Sequence, residues 1–300
     1  MKDCREEWYD AEAKVAVTLV DVTSAAQELC RGHLAGPVAA HYLTEALASV
    51  ALLGGEMSEP DETVILQMKC KGPLGGCNVE CTSEGTLRGY TEKKVLDEFD
   101  GMGKPDDRKV LGERQVQVTR SVPGRILSQG ISASLDGYLA GSLQRKASLR
   151  TEVAVSDEVE VLEARGILVE LLPDSRFGSL ESNSVGLGSN GVDQGSNGVD
   201  QGSNGVDKVS GCRRDPLRTL LDAKRPVKLG VASRNILKQL GLEKAELRKT
   251  TPLSFSCRCS PDRAVAMLAA LSEEERKALP PTIDVTCHMC GKTFTVKNGG

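Results

Sequence analysis

The hydrophobic pattern divides the chain into a structured first half, a stretch without pattern, and a short patterned end. Ala13–Val22 alternates and predicts a strand. Pro37 then opens a helix, since a first-turn proline sacrifices no hydrogen bond. Val38, Tyr42, Ala46, Leu47 and Val50 follow near helical spacing, and Gly54-Gly55 stops it. Thr63–Lys69 is a β-rich run broken by Gly72-Pro73-Leu74-Gly75-Gly76. Asn78–Thr82 and Thr86–Thr91 predict two strands across a Ser83-Glu84-Gly85 turn, and Gln115–Val122 alternates as another. Ser134–Gln144 predicts a short helix, and Gly166–Leu172 a strand ended by Pro173. Residues 1–178 therefore predict one α/β domain.

Beyond it the pattern vanishes. GSNGVDQ at 188–194 repeats at 195–201 and returns as GSNGVDK at 202–208. The period of seven is that of a coiled coil, but two glycines and one valine per repeat leave no apolar stripe. Residues 179–209 predict a flexible low-complexity spacer. Apolar spacing resumes over 210–252. Leu217, Leu220 and Leu221 share one helical face; Ile236, Leu237 and Leu240 share another, with Leu247 beyond. Pro216, Pro226, Gly230, Gly241 and Pro252 keep these helices short, so they depend on docking against something else.

Composition narrows the class. The longest apolar stretch, Ala46–Leu53, is far short of a membrane span, and MKDCREEWYD lacks the basic and apolar regions of a secretory signal. Ten cysteines without such a signal predict a reducing, cytoplasmic setting, where clustered cysteines mean metal or redox chemistry. The net charge of −4 hides a split: residues 208–300 hold 18 Lys/Arg against 9 Asp/Glu, so the first part is acidic. Such a split points to a nucleic-acid partner or to halves that attract each other.

The C-terminal cysteines carry the most specific signal. Cys257-Arg258-Cys259 precedes Cys287-His288-Met289-Cys290-Gly291 by 27 residues. Residues i and i+2 of an extended segment point the same way, so both sulfurs of C-x-C face one ion. A C-x-x-C turn followed by glycine converges two more, with Gly291 free to take a left-handed backbone. Four thiolates make a closed zinc site with no coordination position left for water. Two readings stay open: a purely structural zinc ribbon, or a switch, since zinc-bound sulfur is the thiolate that oxidants attack. The apolar complement of 253–300 is small, mainly Leu253, Phe255, Val265, Leu268, Leu271, Leu279, Ile283, Val285, Phe294 and Val296, so the module needs a staple. His288 has no place in a shell four sulfurs fill. Cys70, Cys77 and Cys81 read as small buried hydrophobes rather than a second metal site. No P-loop, dinucleotide fingerprint, G-x-S-x-G or H-E-x-x-H appears, which argues against an enzyme and against nucleotide use.

The segments FSCRCSPDRAVAMLAALSEEERKALP and IDVTCHMCGKTF, with ALASVALLGG, LQMKCKGPLGGCNVEC, LRGY, Ser142-Leu143-Gln144 and GILVELLP, resemble the redox-regulated chaperones of the 33 kDa heat-shock protein family. The resemblance covers most of 10–178 and 253–296. It implies an α+β protein: an N-terminal sandwich-like α/β domain (1–178), the spacer (179–209), a metastable helical linker (210–252) and a small zinc-binding domain (253–300). It implies one zinc per chain in the reduced state, held by Cys257, Cys259, Cys287 and Cys290. Oxidation by hypochlorite, or by peroxide with heat, is implied to form the disulfides Cys257–Cys259 and Cys287–Cys290, release zinc, and unfold the zinc domain and linker. Leu217, Leu220, Leu221, Ile236, Leu237 and Leu240 are then the candidate client-binding surface. The implied activity is an ATP-independent holdase for unfolded or oxidatively damaged proteins, a homodimer when oxidised, with no membrane role.

The chain departs from that pattern at 182–208 and in the basic linker, where 208–249 holds 12 Lys/Arg against 4 Asp/Glu. A zinc ribbon binding nucleic acid through 208–249 is the alternative, but the stretch lacks aromatic stacking residues. A thiol–disulfide oxidoreductase using Cys287 and Cys290 lacks its βαβ setting. The preferred expectation is internal: the basic linker docks on the acidic N-terminal domain.

Overall fold

The computed structural model describes residues 3–101, 106–175, 177 and 215–298. The spacer 179–209, the start of the linker and Cys212 lie outside them. The first half runs β1 (Cys4–Asp10), β2 (Val15–Asp21), α1 (Thr23–His33), α2 (Pro37–Leu53), β3 (Thr63–Cys70), β4 (Gly76–Thr82), β5 (Thr86–Thr91), α3 (Asp107–Val110), β6 (Arg114–Val122), β7 (Arg125–Ser132), α4 (Leu135–Gly137), β8 (Lys146–Val155) and β9 (Val161–Leu171). The second runs α5 (Pro216–Leu221), α6 (Ser233–Gln239), β10 (Glu246–Pro252), β11 (Ser254–Phe255), α7 (Pro261–Ala269), α8 (Glu273–Lys277), β12 (Thr282–Thr286) and β13 (Thr293–Lys297).

Two large sheets result, in strand orders β10-β1-β2-β9-β8 and β11-β5-β4-β3-β6-β7, plus the β12-β13 hairpin. Helix α2 is buried on almost every side and packs against strands of both sheets. Its alanines (39, 40, 46, 48, 51) let the backbone approach closely, and Leu43, Leu47 and Leu52 fill the core with Val64, Leu66, Val79 and Leu168. This is the α+β sandwich the sequence predicts. With the turn that follows it, α2 is also the one helix among the described residues long and apolar enough to cross a membrane, although its longest unbroken apolar run is short; 83% of that window lies inside the protein, so it is a core helix.

The run GILVEL in β9 is continuous rather than alternating because both faces of its sheet are covered. Leu168 faces α2; Ile167, Val169 and Leu171 face the opposite side with Trp8, Val15, Val17 and Leu19. That second face is covered by the linker: Leu220, Val227, Leu229, Ile236, Leu237, Leu240 and Leu242 bury against it. The linker thus docks on the N-terminal domain mainly by apolar contact. Charge is peripheral. Arg234 lies over the Trp8 ring at 4.7 Å and Arg248 over Tyr9 at 5.6 Å. Lys244 pairs with Glu12, both well exposed.

The linker differs from the helical expectation in three places. Residues 246–252 form strand β10, which adds to the edge of β1 with Cys4 opposite Pro252 and Tyr9 opposite Glu246. An unpaired edge offers backbone groups that outweigh the helix propensity of one isolated leucine. Leu247 therefore sits in a strand and is exposed, and Leu221 is 64% exposed instead of sharing the face of Leu217 and Leu220. The sequence reading also missed β1, α1, β7 and β8. The predicted helix 134–144 is only α4 continued by a wide π turn over Tyr138–Ser142.

Candidate metal centre

Each pair of sulfurs arrives on a separate local device. Strand β11 lies parallel to β5, with Ser254 opposite Thr86 and Phe255 opposite Leu87, and its continuation presents Cys257 and Cys259. Ser260 then caps α7 by accepting from the Arg263 N–H, with Pro261 in the first turn. The other pair sits on the turn joining β12 to β13. There the Cys287 carbonyl accepts from the Gly291 N–H at 2.9 Å and the Cys287 N–H donates to the Lys292 carbonyl at 2.9 Å. Gly291 has φ +72°, the left-handed region the sequence reading required.

The four sulfurs lie within 4.8 Å of one another. Cys257 Sγ is 3.8 Å from Cys287 Sγ, and Cys259 Sγ is 3.4 Å from Cys290 Sγ. A tetrahedron with metal–sulfur bonds of about 2.3 Å has edges of about 3.8 Å, so the spacing and the all-thiol donor set fit a zinc-sized ion. Cys290 is buried and the other three are half-buried. Burial raises the Cys257 thiol, but the Cys259 backbone, the Arg88 guanidinium and the neighbouring thiols outweigh it and bring the thiol down to about 7. Burial pushes Cys259 and Cys290 up, as expected once a neighbouring sulfur carries the first negative charge.

The module around the sulfurs has almost no core of its own. Of its predicted apolar complement, Val296 is buried among its own elements, whereas Leu253 and Phe255 belong to the main core and Val265 is 47% exposed. The module is instead pressed onto the N-terminal domain. The Gly89 N–H of β5 donates to the Met289 carbonyl at 3.2 Å, and His33 Nε2 lies 2.8 Å from the Gly89 carbonyl oxygen. His33 is buried under this contact, and exposed His288 meets Tyr90 edge-on at 5.6 Å. A Cβ on Gly291 would collide with the Gly32 carbonyl oxygen. Gly291→Ala is therefore expected to add about 1–3 kcal/mol of backbone strain to that collision and to speed amide exchange in β12 and β13 at least tenfold. Unchanged exchange there would show that the turn does not need this close approach.

The remaining predicted positions fall elsewhere. Cys77 and Cys81 are buried on β4, with thiols pushed up by burial to about 12 and about 11. Among the described residues the C-terminal four form the one metal-sized group, so the second cysteine set has no such geometry. Arg5 and Arg88 were not singled out from sequence. Arg5 is buried between the layers, donating to the Ala51 carbonyl at 3.2 Å and facing Cys81 Sγ at 3.8 Å.

Fold and site together define the class: an α+β protein carrying a small thiol-clustered module docked on its core. The Hsp33 protein family model matches residues 7–297, so the chain belongs to that family. It is 29% identical to the 33 kDa chaperonin of Symbiobacterium thermophilum, over 91% of this chain and 86% of that one. It is 27% identical to the 33 kDa chaperonin of Thermus thermophilus, over 93% and 79%. The fold is similar to that of the 33 kDa chaperonin of Thermotoga maritima, with a TM-score of 0.77 at 19% identity over 99% of this chain and 96% of that one.

Proposed function

We propose that the protein is a redox-regulated, ATP-independent holding chaperone whose four C-terminal cysteines bind one zinc ion in the reduced state. Its family and the names of its relatives support a non-enzymatic chaperone. One observation carries the regulation: the sulfur cluster staples a module with almost no core, and that module continues, through edge strand β10, from the linker helices that cover an apolar sheet face. A bound zinc ion would neutralise thiolate charge and cross-link the two cysteine pairs.

In this reading Cys257, Cys259, Cys287 and Cys290 hold the metal. Oxidation pairs Cys257 with Cys259 and Cys287 with Cys290. For each pair, two thiolates give two electrons to one hypochlorous acid molecule, the protonated form of hypochlorite; the S–S bond forms, and chloride and hydroxide leave. Pairing within C-x-C and within C-x-x-C removes all four donors and leaves no covalent link between the two halves. The module loses its staple and pulls on β10, which follows α6 in the chain. Release of α5 and α6 then bares Leu217, Leu220, Ile236, Leu237 and Leu240 together with the sheet face they cover. Exposed Leu221 adds nothing to that change. Unfolded or oxidatively damaged proteins bind the uncovered surface, which also favours a homodimer. The working units are 1–178 as core, 179–209 as spacer, 210–252 as releasable cover and 253–300 as sensor, in a reducing compartment such as the cytoplasm.

Hypochlorite added to the zinc-loaded protein is expected to release one zinc per chain, consume four thiols, and suppress aggregation of a denatured client without nucleotide. Zinc release with no holding activity would sink this reading. Peptide mapping should find only Cys257–Cys259 and Cys287–Cys290; cross-links between the pairs would contradict the opening step.

A further inference from the structure

The sulfur cluster borrows part of its surroundings from the N-terminal domain. Arg88 stands on β5, the strand that β11 joins, and its side chain is 16% exposed. One terminal nitrogen donates to Cys257 Sγ at 3.6 Å, and its Nε donates to Glu80 Oε1 at 2.5 Å. Glu80, buried on β4, stands directly opposite Arg88 in the ladder and also accepts from Arg258 at 3.0 Å. Arg258 lies between the two cysteines of C-x-C. Two guanidinium groups, one from each domain, thus share one carboxylate beside one sulfur. The turn that carries Cys287 and Cys290 meets the N-terminal domain through backbone, at Gly89 and Gly32.

We propose that Arg88, oriented by Glu80, is a positioning residue for Cys257 and so ties the sulfur cluster to the main sheet. A charge-assisted N–H···S bond occupies a sulfur lone pair and steadies the thiolate. The same guanidinium, fixed by a carboxylate on a rigid strand, holds β11 in register against β5. A disulfide sulfur carries no charge and accepts poorly, so oxidation at Cys257 would leave Arg88 and Arg258 repelling each other across Glu80. The sheet edge would then sense the state of the thiols without any movement of the core. This rests on the four cysteines being the zinc and redox centre.

The test compares full-length, reduced, zinc-loaded protein with Arg88→Met, Arg88→Lys and Glu80→Gln. Zinc transfer to a chromophoric chelator and alkylation of each cysteine by iodoacetamide, resolved by mass spectrometry, are the readouts. Loss of a hydrogen bond to a charged group predicts about tenfold faster zinc transfer for Arg88→Met. Faster alkylation should appear at Cys257 and Cys259 beyond any change at Cys287 and Cys290. Arg88→Lys, which keeps the charge and a donor, should restore part of both effects, and Glu80→Gln should show them more weakly. An equal rise at all four cysteines would mean general loosening and would overturn the assignment, as would no change in either readout. If Arg88→Met does not fold, Glu80→Gln and Arg88→Lys decide on the same pattern. Neither readout uses holding activity, so failure here is distinguishable from failure of the chaperone reading.

Discussion

Stripping zinc from the reduced protein with a chelator is expected to unfold residues 256–298 while strands β1 to β9 of the N-terminal domain stay paired. Helices α7 and α8 span nine and five residues, too short to persist alone in water. The β12-β13 hairpin is two-stranded, which is marginal by itself. Its alternate residues Ile283, Val285 and Phe294 are only half-buried, with Val296 the single buried one. Against that thin core, a structural zinc site supplies apparent folding free energy on the order of 10–16 kcal/mol. Removing it leaves the module's docking contacts at Gly89 and Gly32 without a rigid partner. Hydrogen exchange should show protection lost at Val285, Phe294 and Val296 and kept at Leu66, Val79 and Val118. Persistent protection of the hairpin in metal-free protein would refute the staple argument and leave the cysteines without a structural task.

Leu237→Asp is expected to give holding activity without oxidant and with zinc still bound. Leu237 is completely buried in the cluster that the linker forms with the apolar face of Trp8, Val17, Ile167 and Val169. Even truncation to alanine at such a site costs about 2–5 kcal/mol, and an unpaired carboxylate costs more. Helix α6 has only seven residues, so without that face it has no independent reason to form. Trp8 gives a direct reading, because it is the only tryptophan and sits under Arg234 of the linker. Its emission is expected to shift to the red in Leu237→Asp, and likewise on oxidation of the unsubstituted protein. Leu221→Asp serves as control, since Leu221 already faces solvent and its change should leave both signals alone. A red-shifted Trp8 with no holding activity would show that the linker covers something other than the client surface.

The four-cysteine cluster is legible in the chain because its geometry is local. C-x-C in an extended segment and C-x-x-C-G in a turn orient their sulfurs before any long-range contact forms, and both devices stand in the structure as the spacing requires. Helix α2 is legible for the same reason: Pro37 starts it and Gly54 stops it within one continuous apolar pattern. The β9 run shows a middle case. Its unbroken apolar character marks a strand covered on both faces, but it does not say what covers the second one.

Strands β1 and β10 escaped notice because CREEWYD and ELRKTTP are too charged to look buried; β1 is held by its neighbour β2, and β10 becomes a strand by pairing with β1, more than 230 residues away. The basic charge of the linker pointed toward electrostatic docking, yet among the described residues the contact is made mainly by apolar side chains whose positions along the chain are irregular. Arg88 and Glu80 read as ordinary strand polars until register places them opposite each other and beside Cys257. By itself, then, the sequence determined the ligand spacing, the core helix and the family. The tertiary structure alone decided what the linker hides and which arginine reaches the sulfur. Local stereochemistry acts over a few residues, whereas cover and register are set by which distant surfaces find one another.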